Sequence, residues 1–528
     1  MTVTLSADQT FCSNLNLKMS NFVNGDTTQT ETATATMRNS SGTTQVTASL
    51  SLEYTSLTMS SVTLTPQSTT VDATAQLLVT FNVGTFSLTS DFNIIMTFPA
   101  RFTSTESYFP NTITCANNTA NINSTLSCSR TEDSSFTATV KVTNALGATI
   151  GSADSAGFMI TNIKNPISAT AVSGITMQIV STTSDSYIIA EKSGITMSVS
   201  TAKTVDSMTY SFNSPSTIGV YSTANAYMQF DITPGVYINS GCRATLQFPT
   251  EITFRSITFV SGIVTGMTST SSDTIASTTD SQCSSSNTES GVIQIFVTVQ
   301  GPPQVKDTSN FQFTLTTSGG DAIASGTVVV SASDITTGTI SSFSFAYVSG
   351  QSTVVQTSTQ WTIGFTLANQ LTNPWVITVT YPSSEFTISS CTPANGVGIT
   401  TASTSCAVSG NTLTISGSYA LSAGAKSFEG VTGTNPASVF TTGAFTMNSF
   451  NNISGTNYAV DVYDSSDTSF TGTFTATAQT LTSIAAAVNT PGTNSITGNE
   501  NVTFDFTVVH NSEFPAGSII TLTIPSSN

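Results

Sequence analysis

Ile94-Ile95-Met96-Thr97-Phe98-Pro99 decides how the chain is read. Ile94, Met96 and Phe98 fall on one side of an extended backbone, and Pro99 closes the run, so the stretch reads as a half-buried β-strand with a fixed exit. The pattern returns at Ala244, Leu246, Phe248 and Pro249, at Ile377, Val379, Tyr381 and Pro382, and at Ile520, Leu522, Ile524 and Pro525. A second alternating strand precedes each copy: Leu77, Val79, Phe81 and Val83; Met228, Phe230 and Ile232; Trp361, Ile363, Phe365 and Leu367; Val502, Phe504, Phe506 and Val508. Turn-rich stretches such as Thr233-Pro234-Gly235 and Asn373-Pro374 lie between the two strands, which predicts antiparallel pairing through a short loop.

The four prolines are 150, 133 and 143 residues apart, the length of a β-sandwich domain and far beyond a solenoid repeat. A second landmark keeps the same period: Asn165-Pro166, Gly301-Pro302 and Asn435-Pro436 place their prolines 136 and 134 residues apart. The expected organisation is all-β, an elongated array with complete Ig-like antiparallel β-sandwich repeats over residues 58–202, 203–334 and 335–480. Residues 1–57 read as the closing half of a repeat and 481–528 as the opening half of another. The chain is therefore expected to be a segment of a longer array, cut out of phase with its domains. Met1-Thr2-Val3-Thr4 does not read as the start of a signal peptide.

Composition narrows the function. About a third of the residues are Ser or Thr, charged residues make up 8%, and the net charge is −17. Regular Val, Ile and Phe alternation argues against a disordered chain and assigns the Thr to exposed strand faces, with O-glycosylation possible on top. Twelve Lys and Arg give no basic patch, so no nucleic-acid partner is expected. No apolar run is long enough for a membrane span.

Seven cysteines are present. Cys115 with Cys128, and Cys391 with Cys406, occupy matching loops, while Cys242 with Cys283 form a differently placed pair in the middle repeat. One pair per repeat points to disulfides and an extracellular, oxidising setting. Cys12 is expected to pair with a cysteine before Met1 or in a neighbouring copy.

Catalytic and cofactor chemistry find little footing. The single histidine, His510, lacks a nucleophile motif and reads as an exposed loop residue. Asp461, Asp464 and Asp467 could offer hard oxygen ligands to calcium, but without the spacing of a dedicated loop they read as a solvated turn. The expectation is no enzyme, no metal and no cofactor beyond covalent glycans. Sequons stand at Asn39, Asn117, Asn123, Asn452 and Asn501, fewer than chance would place in so Ser/Thr-rich a chain. Asn117 and Asn123 are favoured because they lie within the loop between Cys115 and Cys128. Scattered Thr-x-Thr runs lack the flat regular face of an ice-binding array.

In its Ser/Thr-rich, Lys-poor composition, its one-disulfide repeats and its Phe-Pro and Asn-Pro landmarks, the whole chain resembles the tandem Ig-like surface proteins of unicellular eukaryotes. It is also similar to glycan-coated extracellular fibrils built from such repeats. The resemblance implies a structural filament or surface-coat protein, whose partners are adjoining repeats or copies of itself placed head to tail. Two other readings stay open. An adhesin would grip a ligand through an unusual loop or aromatic patch, with Trp361 and Trp375 as the hint. Strand exchange would complete the last half-repeat with residues 1–57 of the next subunit.

Overall fold

The computed structural model describes residues 30–102, 106–213, 215–221, 226–238, 240–277, 289, 291–382, 387–437, 445–463, 476–488, 503–510 and 517–524. Among these there is no α-helix. A hairpin of β1 (Thr30–Arg38) and β2 (Thr44–Glu53) comes first. The first sandwich holds β3 (Leu57–Thr58), β4 (Ser61–Pro66), β5 (Thr74–Asn82), β6 (Phe92–Phe98), β7 (Cys115–Asn117), β8 (Ser127–Glu132), β9 (Ala138–Thr143), β10 (Ser155–Lys164), β11 (Val172–Ser181) and β12 (Ile188–Met197).

The second follows with β13 (Lys203–Thr204), β14 (Ser207–Phe212), β15 (Ile218–Gly219), β16 (Ala226–Thr233), β17 (Cys242–Gln247), β18 (Thr253–Gly262), β19 (Met267–Ser269), β20 (Thr274–Ser277), β21 (Ile293–Gln300), β22 (Phe311–Thr317) and β23 (Ala322–Val328). After β24 (Ile335–Thr336), the third has β25 (Gly338–Tyr347), β26 (Ser358–Leu367), β27 (Trp375–Thr380), β28 (Thr387–Val397), β29 (Thr404–Ser409), β30 (Thr412–Gly417), β31 (Gly424–Thr434), β32 (Thr446–Ile453) and β33 (Thr456–Val462). A last hairpin joins β34 (Ser483–Val488) to β35 (Phe504–Val509).

The three sandwiches share one topology. The first faces a sheet ordered β4-β5-β10-β7 with one ordered β3-β12-β11-β6-β9-β8, and the second repeats this as β14-β16-β21-β18 and β13-β23-β22-β17-β20-β19. In the third the two layers are β28-β31-β26-β25 and β33-β32-β27-β30-β29, joined along one edge because the start of β25 also pairs in parallel with β33. Alternate side chains from both layers meet in the core. Val79, Phe81, Ile94, Met96, Val140 and Met177 are among its fully buried members in the first sandwich, each contributing about 1.5–3 kcal/mol by leaving water.

Two expectations need correction. The strands of each sequence pair do not form a hairpin: β5 and β6, β16 and β17, and β26 and β27 lie in opposite layers. The reason is in the connections of seven to nine residues, which bury Val83 and Leu88, Val236 and Ile238, and Leu371. Such apolar side chains plug the end of the sandwich as the chain crosses the roughly 10 Å between sheets, where a polar hairpin turn would have stayed at one edge. Nor is the pairing purely antiparallel. Each sandwich's first strand runs parallel to its last, Leu57 beside Ala190, Lys203 beside Ala324 and Gly338 beside Asp461.

Candidate functional site

With both tryptophans fully buried, in β26 and β27, the aromatic hint of a gripping surface disappears. What recurs instead is a backbone clamp where each sandwich hands over to the segment after it. In the first, Thr70 bridges Thr201 in parallel; the Val71 N–H donates to the Thr201 carbonyl at 2.8 Å, and the Thr201 N–H returns a bond to the Thr69 carbonyl at 2.8 Å. In the third, Val354 bridges Thr477, with Val355 N–H to Thr477 O at 2.9 Å and Thr477 N–H to Thr353 O at 2.7 Å. The second uses a full two-residue ladder, β15 beside β24, with Val220 N–H to Thr336 O at 2.9 Å.

The Pro landmarks hold these loops. The residue after each clamping valine is left-handed, Asp72 at φ 61°, Tyr221 at φ 47° and Gln356 at φ 57°. Its N–H points at a proline carbonyl: Asp72 to Pro166 at 2.9 Å, Tyr221 to Pro302 at 3.0 Å, Gln356 to Pro436 at 3.1 Å. The Asn before the proline does the rest. Asn165 Nδ2 donates to the carbonyls of Ser68 and Thr70 at 2.8 and 2.7 Å, and Asn435 Nδ2 to those of Ser352 and Val354 at 3.0 and 2.7 Å. Both carboxamides are buried, so each satisfies two loop carbonyls away from water. Gly301 replaces Asn in the second sandwich because its α-carbon faces the Gly219 carbonyl so closely that a Cβ would collide with it.

Side chains around the clamps differ. Between the first and second sandwiches Arg101, with a fully buried side chain, pairs with Asp72 and Glu106, and its Nε donates to the Asn165 carbonyl at 2.7 Å. Lys203 reaches Asp72 at 3.2 Å, and Lys164 spans Glu106 at 3.0 Å and Glu289 at 2.6 Å. Burial pulls the Lys164 ammonium down, but bonds to Glu289 and Glu106 outweigh it and leave its pKa raised. Phe102 stacks on Tyr237 at 5.0 Å, and the Thr170 hydroxyl donates to Asp321 at 2.6 Å. Between the second and third, Tyr210 donates to Asp334 at 2.5 Å, Val305 N–H to Ala459 O at 2.8 Å, and Asn451 Nδ2 to Gln304 Oε1 at 3.0 Å. One buried apolar cluster runs through both of these sandwiches.

Cys115–Cys128 and Cys391–Cys406 are disulfides with Cα atoms 5.7 and 5.4 Å apart. The first ties β7 to β8 and the second ties β28 to β29, so each clips the edge of one layer to the same edge of the other. Loops of this length are worth about 3 kcal/mol by the chain-entropy argument. Cys242 is also disulfide-bonded and sits in the six-stranded layer; Cys283 and Cys12 lie outside the described residues.

Asn39 is exposed at the β1–β2 turn, with its Oδ1 accepting the Thr43 N–H at 2.8 Å. Asn117 is exposed on β7, and Asn123 is half-buried, with its Oδ1 accepting the Thr125 N–H at 3.0 Å. Asn452 is half-buried and its Nδ2, the atom that would carry a sugar, donates to Asn457 Oδ1 at 2.6 Å. Asn501, Asp464 and Asp467 lie outside the described residues, and His510 follows β35 in an exposed position.

Asp461 departs from the solvated-turn reading: it is buried, accepting the Asn369 N–H at 2.9 Å and Nδ2 at 2.6 Å, and burial raises its pKa despite those bonds. No metal-binding group of acidic, His or Cys side chains occurs among the described residues. A groove of about 640 Å³ lies beside the loop that follows Pro99, lined by Tyr108, Phe109, Arg130, Glu132 and Lys164. Its charged groups are already engaged, Arg130 with Glu132 and Lys164 with Glu106.

No family model matches the chain, and neither does any curated protein. Among solved structures it is similar to the B domain of a biofilm-associated protein, at 10% identity over 53% of this chain and 88% of that one, with a TM-score of 0.19. It is likewise similar to a putative membrane-anchored protein of Corynebacterium diphtheriae, at 8% identity over 82% and 97% with a TM-score of 0.17. A fragment of the major pilin GBS80 of Streptococcus agalactiae matches at 10% identity over 50% and 94%, with a TM-score of 0.20. Likeness at that level leaves the chain's own geometry to carry its function.

Proposed function

We propose that the chain is a structural spacer, a component of an extracellular glycosylated filament or cell-surface coat built from β-sandwich repeats placed end to end. The observation that carries this reading is the clamp: three times the outgoing segment is tied by backbone hydrogen bonds to the sandwich it leaves, so among the described residues no free linker separates the three sandwiches. Mechanical work needs such fixed angles, and the buried groups at both handovers are spent on them. Repeats over 58–202, 203–334 and 335–480 with part-repeats at either side belong to this reading. So do disulfides that suit an oxidising exterior and N-glycans on Asn39, Asn117 and Asn123. Kinship with the eukaryotic glycan-coated fibrils is its finer form.

Electron microscopy of secreted protein tests it. Straight particles with one narrow distribution of angles between sandwiches are expected, together with a mass loss on enzymatic removal of N-glycans; a broad angle distribution would overturn the spacer role. The adhesin reading is favoured by one feature, the loop after Pro99. It runs to β7 at Cys115, whereas β18 begins at Thr253, soon after Pro249. Binding of a soluble ligand lost on Tyr108→Ala, with sandwich stability retained, would establish it.

A further inference from the structure

Alternation along β16 turns Ala226, Met228, Phe230 and Ile232 into the core and leaves Tyr227, Gln229 and Asp231 on the outer face of the second sandwich's four-stranded layer. Strand pairing sets two further rings beside them. Phe296 of β21 stands opposite Gln229, and Phe259 of β18 stands opposite Phe296, with ring centres 5.8 Å apart. Tyr227 faces Thr298, two residues along β21 from Phe296, which is a diagonal of about 7–8 Å. The rings therefore form a row across three strands, with Tyr227 45% and Phe259 56% exposed. Matching positions in the sister sandwiches hold no ring: Leu78, Thr80, Gly157 and Met159 in the first, Thr362, Gly364, Ser427 and Glu429 in the third.

Beside the rings runs a line of polar side chains already fixed in place. Asn213 Nδ2 donates to Gln229 Oε1 at 3.2 Å, and Gln229 Nε2 donates to both Asp231 carboxylate oxygens at 2.9 Å. Gln294 Nε2 donates to Asp231 Oδ1 at 2.8 Å, and the Ser261 hydroxyl to Gln294 Oε1 at 3.2 Å. Ordering five surface side chains costs rotamer entropy, and hydrogen bonds in contact with water return little stability for it. Such a network is what a preformed binding surface needs, because the ordering is complete before a ligand arrives.

The chemistry of the face selects its occupant. Its charges, Asp231 and Arg255, are opposite in sign and each is met by glutamine, Arg255 by Gln300, so an ionic partner finds no excess charge. Aromatic faces suit the C–H side of a sugar ring, while the second amide hydrogens of Asn213 and Gln294 and the Asp231 carboxylate suit its hydroxyls. An open row, in place of a pocket, admits an extended chain of sugars. Pairing two copies through this face would instead bury two Asp231 carboxylates away from water. No Asn-x-Ser/Thr sequon falls within residues 203–334, so the second sandwich carries no N-glycan site that would cover the row.

We propose that this face binds a linear, uncharged polysaccharide, its sugar rings lying across Tyr227, Phe296 and Phe259 and its hydroxyls bonding to the Asp231 network. The site goes beyond the spacer reading and stands independently of it, since it would attach the chain to its surroundings sideways.

Co-sedimentation of the full chain with insoluble cellulose, chitin and β-1,3-glucan tests it, with electrophoresis through alginate as the anionic comparison. The wild type should bind at least one of the three and pass unretarded through alginate. Tyr227→Ala and Phe259→Ala should each weaken binding about tenfold, and Thr362→Ala, on the corresponding face of the third sandwich, should leave it unchanged. Both rings are exposed, so equal thermal unfolding of all forms is expected and separates a lost site from a lost fold. Failure to bind any of the three, binding that survives both ring substitutions together, or equal retention by alginate would overturn the proposal. Self-association of the wild type abolished by the same two substitutions would assign the face to a second copy and overturn it as well.

Discussion

The handovers on either side of the second sandwich share a backbone design and differ in chemistry. Toward the first sandwich the contact is ionic: Arg101 is held by Asp72 and Glu106, with Lys203 and Lys164 around them and only Val71, Phe102, Ile167 and Val199 joining the apolar cluster from that side. Toward the third it is mostly apolar, with Ile218 packed in the same cluster as Ile335 and Ile340, and its charged groups meet aromatic rings: Asp334 accepts from Tyr210, and the Lys306 ammonium lies 5.1 Å from the centre of the Tyr458 ring. Buried charge seldom adds much net stability, but it tolerates few alternative arrangements. The difference teaches that the angle is set by the clamp, and that the surrounding side chains decide how costly any other angle becomes.

The sharpest way to break the comparison is Arg101→Met. It leaves Asp72 buried with Lys203 as its nearest partner, and should destabilise the first handover by about 3 kcal/mol, the lower end for breaking a buried pair. Chemical denaturation should show the first sandwich melting earlier while the second and third hold. Asn165→Ala and Asn435→Ala should each cost about 1–3 kcal/mol, by taking a donor from two partly buried loop carbonyls, with Asn435→Ala toward the lower end because the Thr359 and Thr357 hydroxyls still donate to the Ser352 and Val354 carbonyls. Losses that differ only by those hydroxyls would show the clamp to be independent of its surroundings, and a still larger loss at Asn165 would tie it to Arg101.

The smallest effect is one of pH. Asp461 has a raised pKa, so its protonated form is favoured by folding; its contribution is present at low pH and is lost as pH rises through the folded-state pKa. Comparing wild type with Asp461→Asn by denaturation from pH 7 to pH 4 should show the wild type gaining stability relative to the variant on acidification.

Strand positions and the repeat period were legible in the sequence because alternation and proline exits are local. Which layer a strand joins was not, since that depends on whether a connection hides apolar side chains such as Leu88 and Leu371. Asn165 and Asn435 stood out as landmarks, but their bonds to loops 78 to 97 residues away carry no local signal. The ionic cluster offered one clue. Arg101, Lys164 and Lys203 are three of only twelve Lys and Arg in the chain, and such scarcity makes each cation worth tracing.

The apolar cluster that runs unbroken from the second sandwich into the third has a mechanical consequence. Opening either of those modules strips cover from the other, so under tension they should yield together, whereas the first, with a core of its own, can rupture alone. A thread made this way lengthens in unequal steps, and the ionic seam marks where slack is released independently.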